Sequence, residues 1–203
     1  MFMFRKINDW VANKTRNKIQ NLFTKDSLKE NTAMILINAI YFKGKWDKKF
    51  DSKSTKETKF IVNKDKSVNV QMMYQKDKFK VKVAKELDVK IIELPYDNAT
   101  MKMYIALPNK KNGLETLEKD LENMSTEEVS NIFKMEDIEP LETTVKIPKF
   151  KLETTLHLIP VLHKMGFGKI LSNANLGKMF EKGPEKMEIA EVIQKAFIEV
   201  ILF

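Results

Sequence analysis

The chain predicts an α+β domain, with largely antiparallel sheets and short helices. Three observations carry that expectation. Between Ala33 and Leu107 the sequence falls into successive apolar or alternating runs of strand length, separated by polar, Gly- or Pro-containing stretches. Helical spacing appears only in short segments between and around these runs. The last residues before the end, Gln194–Val200, are apolar and rich in β-branched side chains, as in a buried or half-buried strand.

Residues 7–23 predict a helix, with Asn8 or Asp9 as cap and Ile7, Trp10, Val11, Ile19, Leu22 and Phe23 as its apolar positions. Ala33–Phe42 is almost wholly apolar and predicts a central strand buried on both faces, ended by Gly44; periodicity alone also allows a buried helix. Strands are expected at Thr58–Val62, Val68–Tyr74, Phe79–Val83, Val89–Leu94 and Met101–Leu107, with Pro95 closing the fourth of these five. Pro108, Asn109 and Gly113 then mark a turn. Two short helices follow. One is Leu114–Leu121, and the other opens at Ser125, with Glu128 completing a capping box. Thr143–Leu152 alternates as an outer strand does, Leu156–Met165 predicts a helix despite Pro160, and Gly166 is its C-terminal cap.

With 203 residues, the chain can hold one sizeable core or two small ones. A hydrophobic fraction of 43% beside 32% charged residues is that of a globular protein, and no apolar run approaches the roughly 20 residues a membrane span needs. The opening Met1-Phe2-Met3-Phe4-Arg5-Lys6 does not read as a secretory signal, which points to the cytoplasm. The absence of Cys excludes disulfides, thiolate metal sites and cysteine catalysis.

The net charge of +8 raises the question of a polyanion. Lys76, Lys78, Lys80 and Lys82 alternate with Asp77, Phe79 and Val81, which places the lysines on one strand face. That face reads either as solvated surface or as a binding face for a sulfated polysaccharide. No aromatic-plus-basic motif points to nucleic acid.

Catalytic constellations are missing. His157 and His163 lie six apart, so on one helix they diverge and share no metal. There is no Gly-x-Ser-x-Gly, no phosphate-cradling Gly loop and no His-Glu-x-x-His. No cofactor, metal or catalytic residue is expected. Met72-Met73 reads as core filler.

One resemblance brings the rest together. Ile37–Phe50 (Ile-Asn-Ala-Ile-Tyr-Phe-Lys-Gly-Lys-Trp-Asp-Lys-Lys-Phe) resembles the central part of the serpins, the serine protease inhibitors. In family order, Ile7–Phe23, Val70–Tyr74, Glu93–Tyr96, Leu107-Pro108, Ile147–Glu153 and Lys195–Val200 are similar to family landmarks. The resemblance implies a single partial serpin domain over 1–203. Within it, 7–23 is the helix across the main sheet, 33–44 a central strand and 187–200 a final strand. It further implies a suicide-substrate mechanism: a serine protease cleaves an exposed loop, the loop inserts into the main sheet, and the acylated protease is distorted.

The resemblance makes Asn38 the shutter asparagine and Trp46 the breach tryptophan. Gln194 stands where many serpins carry a shutter histidine, Asn175 where aspartate is common, and Gly177 follows a shortened motif. After Val200 the family continues into an acidic, Gly- and Ala-rich hinge and the reactive loop. Here Ile201-Leu202-Phe203 stands instead, so no reactive bond is expected within these residues and the chain alone is expected to be inactive. The alternative is a non-inhibitory remnant or a polyanion-binding module. Strand edges around Ala33–Phe42 and Met187–Val200 are expected to lack neighbours and to invite intermolecular pairing. The family resemblance points to an extracellular protein, against the cytoplasmic reading of the N-terminus.

Overall fold

A computed structural model describes residues 3–24, 34–63, 65–97, 100–172 and 189–200. The chain divides into two compact units, residues 1–43 with 151–199, and residues 44–150 with 200–203.

The first unit opens with helix α1 (Met3–Lys14), shorter than the helix expected over 7–23 and starting before it. Its end is set by backbone geometry. Arg16 and Asn17 adopt φ of 50° and 59°, in the left-handed region, which Asn tolerates better than most residues. The Thr15 hydroxyl donates to the Val11 carbonyl at 2.7 Å and accepts from the Ile19 amide at 3.1 Å, fixing the turn. Asn8 is no cap: its side chain donates to the Phe23 carbonyl (2.8 Å) and accepts from the Phe23 amide (2.9 Å). Ile19 and Phe23 are buried as expected, but by this fold-back and not by helical periodicity.

Strands β1 (Met34–Phe42), β7 (Phe150–His157) and β8 (Ile189–Val200) form a three-stranded sheet ordered β1-β8-β7. β1 and β8 run parallel. Ile37, Ala39 and Tyr41 pack against Val11, Ile19 and Phe197, joining α1 to one face of the sheet. The opposite face of β1 is not buried as expected: Leu36 is 42% and Ile40 44% exposed. Uniform apolarity carries no period, so the sequence could not separate the two faces. β8 has a strand on each side, which corrects the expectation of a bare edge at Met187–Val200 for the described residues 189–200. Residues 33, 187 and 188, with Asn175 and Gly177, lie outside the described residues.

β7 runs on to His157, so helix α4 (Ile159–Lys164) begins later than expected, with Pro160 in its first turn. Gly166, at φ 90°, ends it as expected. A further short helix, α5 (Gly168–Ser172), follows. Leu171 packs with Ile189 and Val192, and Leu158, Ile159 and Leu162 pack against that cluster.

The second unit is an antiparallel sheet of β2 (Lys56–Ile61), β3 (Ser67–Ala84), β4 (Val89–Pro95), β5 (Lys102–Pro108) and β6 (Leu141–Pro148). β3 replaces the two strands expected at 68–74 and 79–83. The stretch Gln75–Lys78 between those two runs is extended because β6 pairs across it, Gln75 with Val145 through Lys78 with Glu142, which fits the strand face expected for Lys76–Lys82. Helices α2 (Leu114–Glu122) and α3 (Thr126–Ile132) match their expectations closely. Leu117, Ile132 and Met135 pack with Ala84, Leu87, Val89 and Ile91. The capping box is present: the Ser125 hydroxyl accepts from the Glu128 amide, and the Ser125 amide donates to the Glu128 carboxylate at 2.7 Å. The Ser125 hydroxyl also donates to the Glu128 carboxylate at 2.7 Å, and this bond first, then that from the Ser125 amide, holds the carboxyl below its usual range.

Candidate functional site

The parallel register of β1 and β8 sets Asn38 against Gln194, so the structure pairs two residues 156 positions apart in the chain. Both are amides able to donate and to accept. Asn38 faces outward with Leu36 and Ile40 and is exposed, while Gln194 is half-buried. In the same pairing Tyr41 meets Phe197, their ring centroids 5.8 Å apart.

One functional-looking residue escaped the sequence reading. Glu199, near the end of β8, is buried at 7% exposure, and its carboxylate lies 3.3 Å from the Lys18 ammonium, 3.8 Å from Lys151 and 3.9 Å from Lys43. These cations come from the segment after α1, from β7 and from the residue after β1, so one carboxylate ties three parts of the unit. The available signal was a lone acid inside Phe-Ile-Glu-Val, a charge that burial requires to be paired. Two further pairs cross β7 and β8: Glu153 with Lys195 at 2.7 Å, and His157 with Glu191 at 3.3 Å. His157 thus sits on a strand and His163 on α4, not on one helix as the sequence suggested.

Trp46 belongs to the second unit. It is 2% exposed and stacks on Tyr96, centroids 4.6 Å apart with planes at 11°, while Phe50 meets its edge at 6.1 Å. The backbone reinforces the stack: the Asp47 amide donates to Pro95 and the Asp97 amide to Lys45. Burial pushes the Tyr96 phenol above its ordinary pKa. The chain leaving β1 is thereby fastened to the end of β4.

The four lysines of β3 do not share one environment. Lys76 pairs with Glu142 at 2.9 Å. Lys80 donates to the Met135 carbonyl at 2.8 Å, and Lys82 donates to those of Ile132 (2.9 Å) and Asn131 (3.1 Å). These are carbonyls at and just beyond the C-terminus of α3, where a cation suits the helix dipole. Lys78 is exposed. The lysine face is therefore solvated only toward Lys76 and Lys78; toward Lys80 and Lys82 it carries α3, and Val83 on the opposite face is 56% exposed. Between the lysines, Asp77 pairs with Lys48, whose ammonium holds the carboxyl below its usual range and lies 5.1 Å from the centre of the Phe79 ring.

The buried Glu93 carboxylate accepts from the Tyr104 hydroxyl at 2.9 Å and pairs with Lys102 at 3.1 Å. Desolvation first, then that carboxylate, pushes the Tyr104 phenol up to about 12. Among the described residues no group of three or more His, Cys, Asp or Glu is placed to hold a metal ion, and no helix is long and apolar enough to cross a membrane.

Comparison with known proteins gives a consistent result. A family profile described as Serpin (serine protease inhibitor) matches residues 3–201. The chain is 38% identical over 196 residues to Antichymotrypsin-2 of Bombyx mori, covering 97% of this chain and 51% of that protein. It is 37% identical over 201 residues to a leukocyte elastase inhibitor of Sus scrofa, covering 97% and 52%. The crystal structure of uncleaved ovalbumin superposes with a TM-score of 0.87 at 34% identity, over 98% of this chain and 52% of that one. The chain thus spans about half the length of the curated relatives it matches.

Proposed function

The chain belongs to the serpin family, and from that membership we propose that it supplies the strand-accepting part of a serine-type endopeptidase inhibitor, one consumed by its target protease and not a catalyst. The observation that carries the reading is the parallel joint between β1 and β8, with Asn38 beside Gln194. Parallel pairing is slightly weaker per residue than antiparallel pairing, which suits a joint that has to open. An added strand entering there would gain backbone partners on both sides.

Asn38 and Gln194 act as the shutter in this reading, their amides holding the joint until insertion. Trp46 acts at the breach in this reading, and its stack on Tyr96 holds it there. No segment of these 203 residues resembles the acidic, Gly- and Ala-rich hinge, so the residues provide the acceptor sheet and not the bait. A sulfated polysaccharide as partner has less support, because Lys76, Lys80 and Lys82 already have protein partners.

Two measurements test the proposal. A synthetic acidic, Gly- and Ala-rich peptide is expected to raise the Tm of the chain in proportion to its occupancy. A Tm indifferent to the peptide overturns the acceptor role. Incubation with trypsin-, chymotrypsin- and elastase-like proteases is expected to leave no detergent-stable covalent complex, and finding one would sink the reading that these residues hold no bait.

A further inference from the structure

We infer that Asn123 is an acceptor for N-linked glycosylation, so that the corner between α2 and α3 carries an oligosaccharide. Transfer of that group takes place in the lumen of the secretory pathway. The inference therefore includes the extracellular reading, and it is independent of protease inhibition.

Asn123-Met124-Ser125 has the acceptor pattern, Asn-x-Ser or Asn-x-Thr with a middle residue other than proline. The same pattern stands at Asn13-Lys14-Thr15 and at Asn98-Ala99-Thr100, the latter beginning outside the described residues. A three-residue pattern is a weak signal by itself, and at Asn123 the fold adds three observations. Asn123 closes α2 and Ser125 opens α3, and both are exposed. Met124 between them packs against the cluster that holds Leu117, Ile132 and Met135, so the middle side chain is anchored while its two neighbours face solvent. That cluster, with the side chains packed on it, lies wholly between Ala84 and Ile138, which sets the corner within one unit of the chain. Lastly, the Asn123 side-chain amide donates to the Lys119 carbonyl at 2.8 Å. The amide nitrogen carries two hydrogens, so attaching a sugar leaves one for this bond.

The chemistry needs a lipid pyrophosphate-linked oligosaccharide as donor. Asn123 Nδ2 attacks C1 of its first sugar; a C–N bond forms, the bond from C1 to the pyrophosphate oxygen breaks, and a proton leaves Nδ2. The bulky, hydrophilic product is suited to a side chain that points to solvent. Ser125 sets the timing. In the folded chain its hydroxyl donates to the Glu128 carboxylate at 2.7 Å and accepts from the Glu128 amide at 3.3 Å. The acceptor pattern is read through that same hydroxyl, so transfer precedes closure of the capping box.

The test is expression of the 203-residue chain behind a cleavable secretory leader in a eukaryotic cell. Enzymatic release of N-linked glycans in heavy-oxygen water, followed by tryptic digestion, then reads the peptide Asp120–Lys134, which holds Asn123 and no other acceptor pattern. Asn123 is expected as aspartate carrying one heavy oxygen, while Asn131 in the same peptide stays asparagine. Ser125→Thr should keep the label. Ser125→Ala and Asn123→Gln should each abolish it, with the loss of one glycan from the intact chain by gel mobility. Read on the secreted and the membrane-enclosed fractions alike, the result does not depend on how well a variant folds. The same peptide from the natural protein should carry the label too. An unlabelled Asn123 from either source, or a label that survives Ser125→Ala, overturns the inference.

Discussion

The two units of this chain solve the same problem, a twisted sheet covered by helices, with different fastenings. In the residue 44–150 unit the sheet is antiparallel, its longest strand is paired by three others, and lysines from that strand cap α3. Its core is apolar and its aromatic stack is buried. In the unit of residues 1–43 and 151–199 the key joint is parallel, one face of β1 is exposed, and a buried carboxylate gathers three lysines. The contrast separates a unit fastened by antiparallel pairing and apolar packing from one fastened by ion pairs and a parallel joint. Ion pairs and a parallel ladder hold alignment while leaving less apolar area to disrupt when strands part.

The contrast can be broken by substitution. Trp46→Ala should cost about 3–5 kcal/mol, because it removes a buried ring stacked on Tyr96 and contacting Phe50. Chemical denaturation measures it, and a loss below about 1 kcal/mol would show that the residue 44–150 unit does not depend on this stack. Glu199→Gln should cost about 1.5–3 kcal/mol, since charge-assisted bonds are lost while packing volume is kept. That loss should shrink as the partners' exposure lets water and salt replace the carboxylate, and a salt-independent cost would refute the electrostatic account.

The smallest effect is on titration. Tyr104, held neutral beside Glu93 with a pKa pushed up to about 12, should ionise well above the ordinary phenol range in a spectrophotometric titration, and the difference from Tyr104→Phe isolates it. Its folded-state pKa is raised, so the associated stability is present below the ordinary phenol pKa of about 10 and is lost as pH rises through the folded value. A Tyr104→Phe difference that titrates at the ordinary phenol pKa would contradict the Tyr104–Glu93 hydrogen bond.

Much of the fold was legible in short-range chemistry. Ser125 and Glu128 marked the start of α3, Gly166 the end of α4, and the alternation at Val145 and Ile147 the inner face of β6. The motif Ile37–Phe50 pointed to the family that comparison establishes. The errors have one cause, which is pairing between distant segments. The strands expected at Val68–Tyr74 and Phe79–Val83 are one because β6 pairs across the residues between them, and residues 15–23 turned back instead of continuing α1 because Asn8 and Thr15 bind backbone groups further along.

By itself the sequence determined the α+β class, most strand and helix positions in the residue 44–150 unit, and membership of the serpins, because propensity, capping and motif order are local properties. Only the tertiary structure decided that Asn38 faces outward beside Gln194, that Glu199 gathers Lys18, Lys43 and Lys151, that Lys80 and Lys82 cap a helix, and that one face of β1 is exposed. Each of these depends on which residues meet across long sequence separations, and register and burial are properties of the pair of segments, not of either one alone.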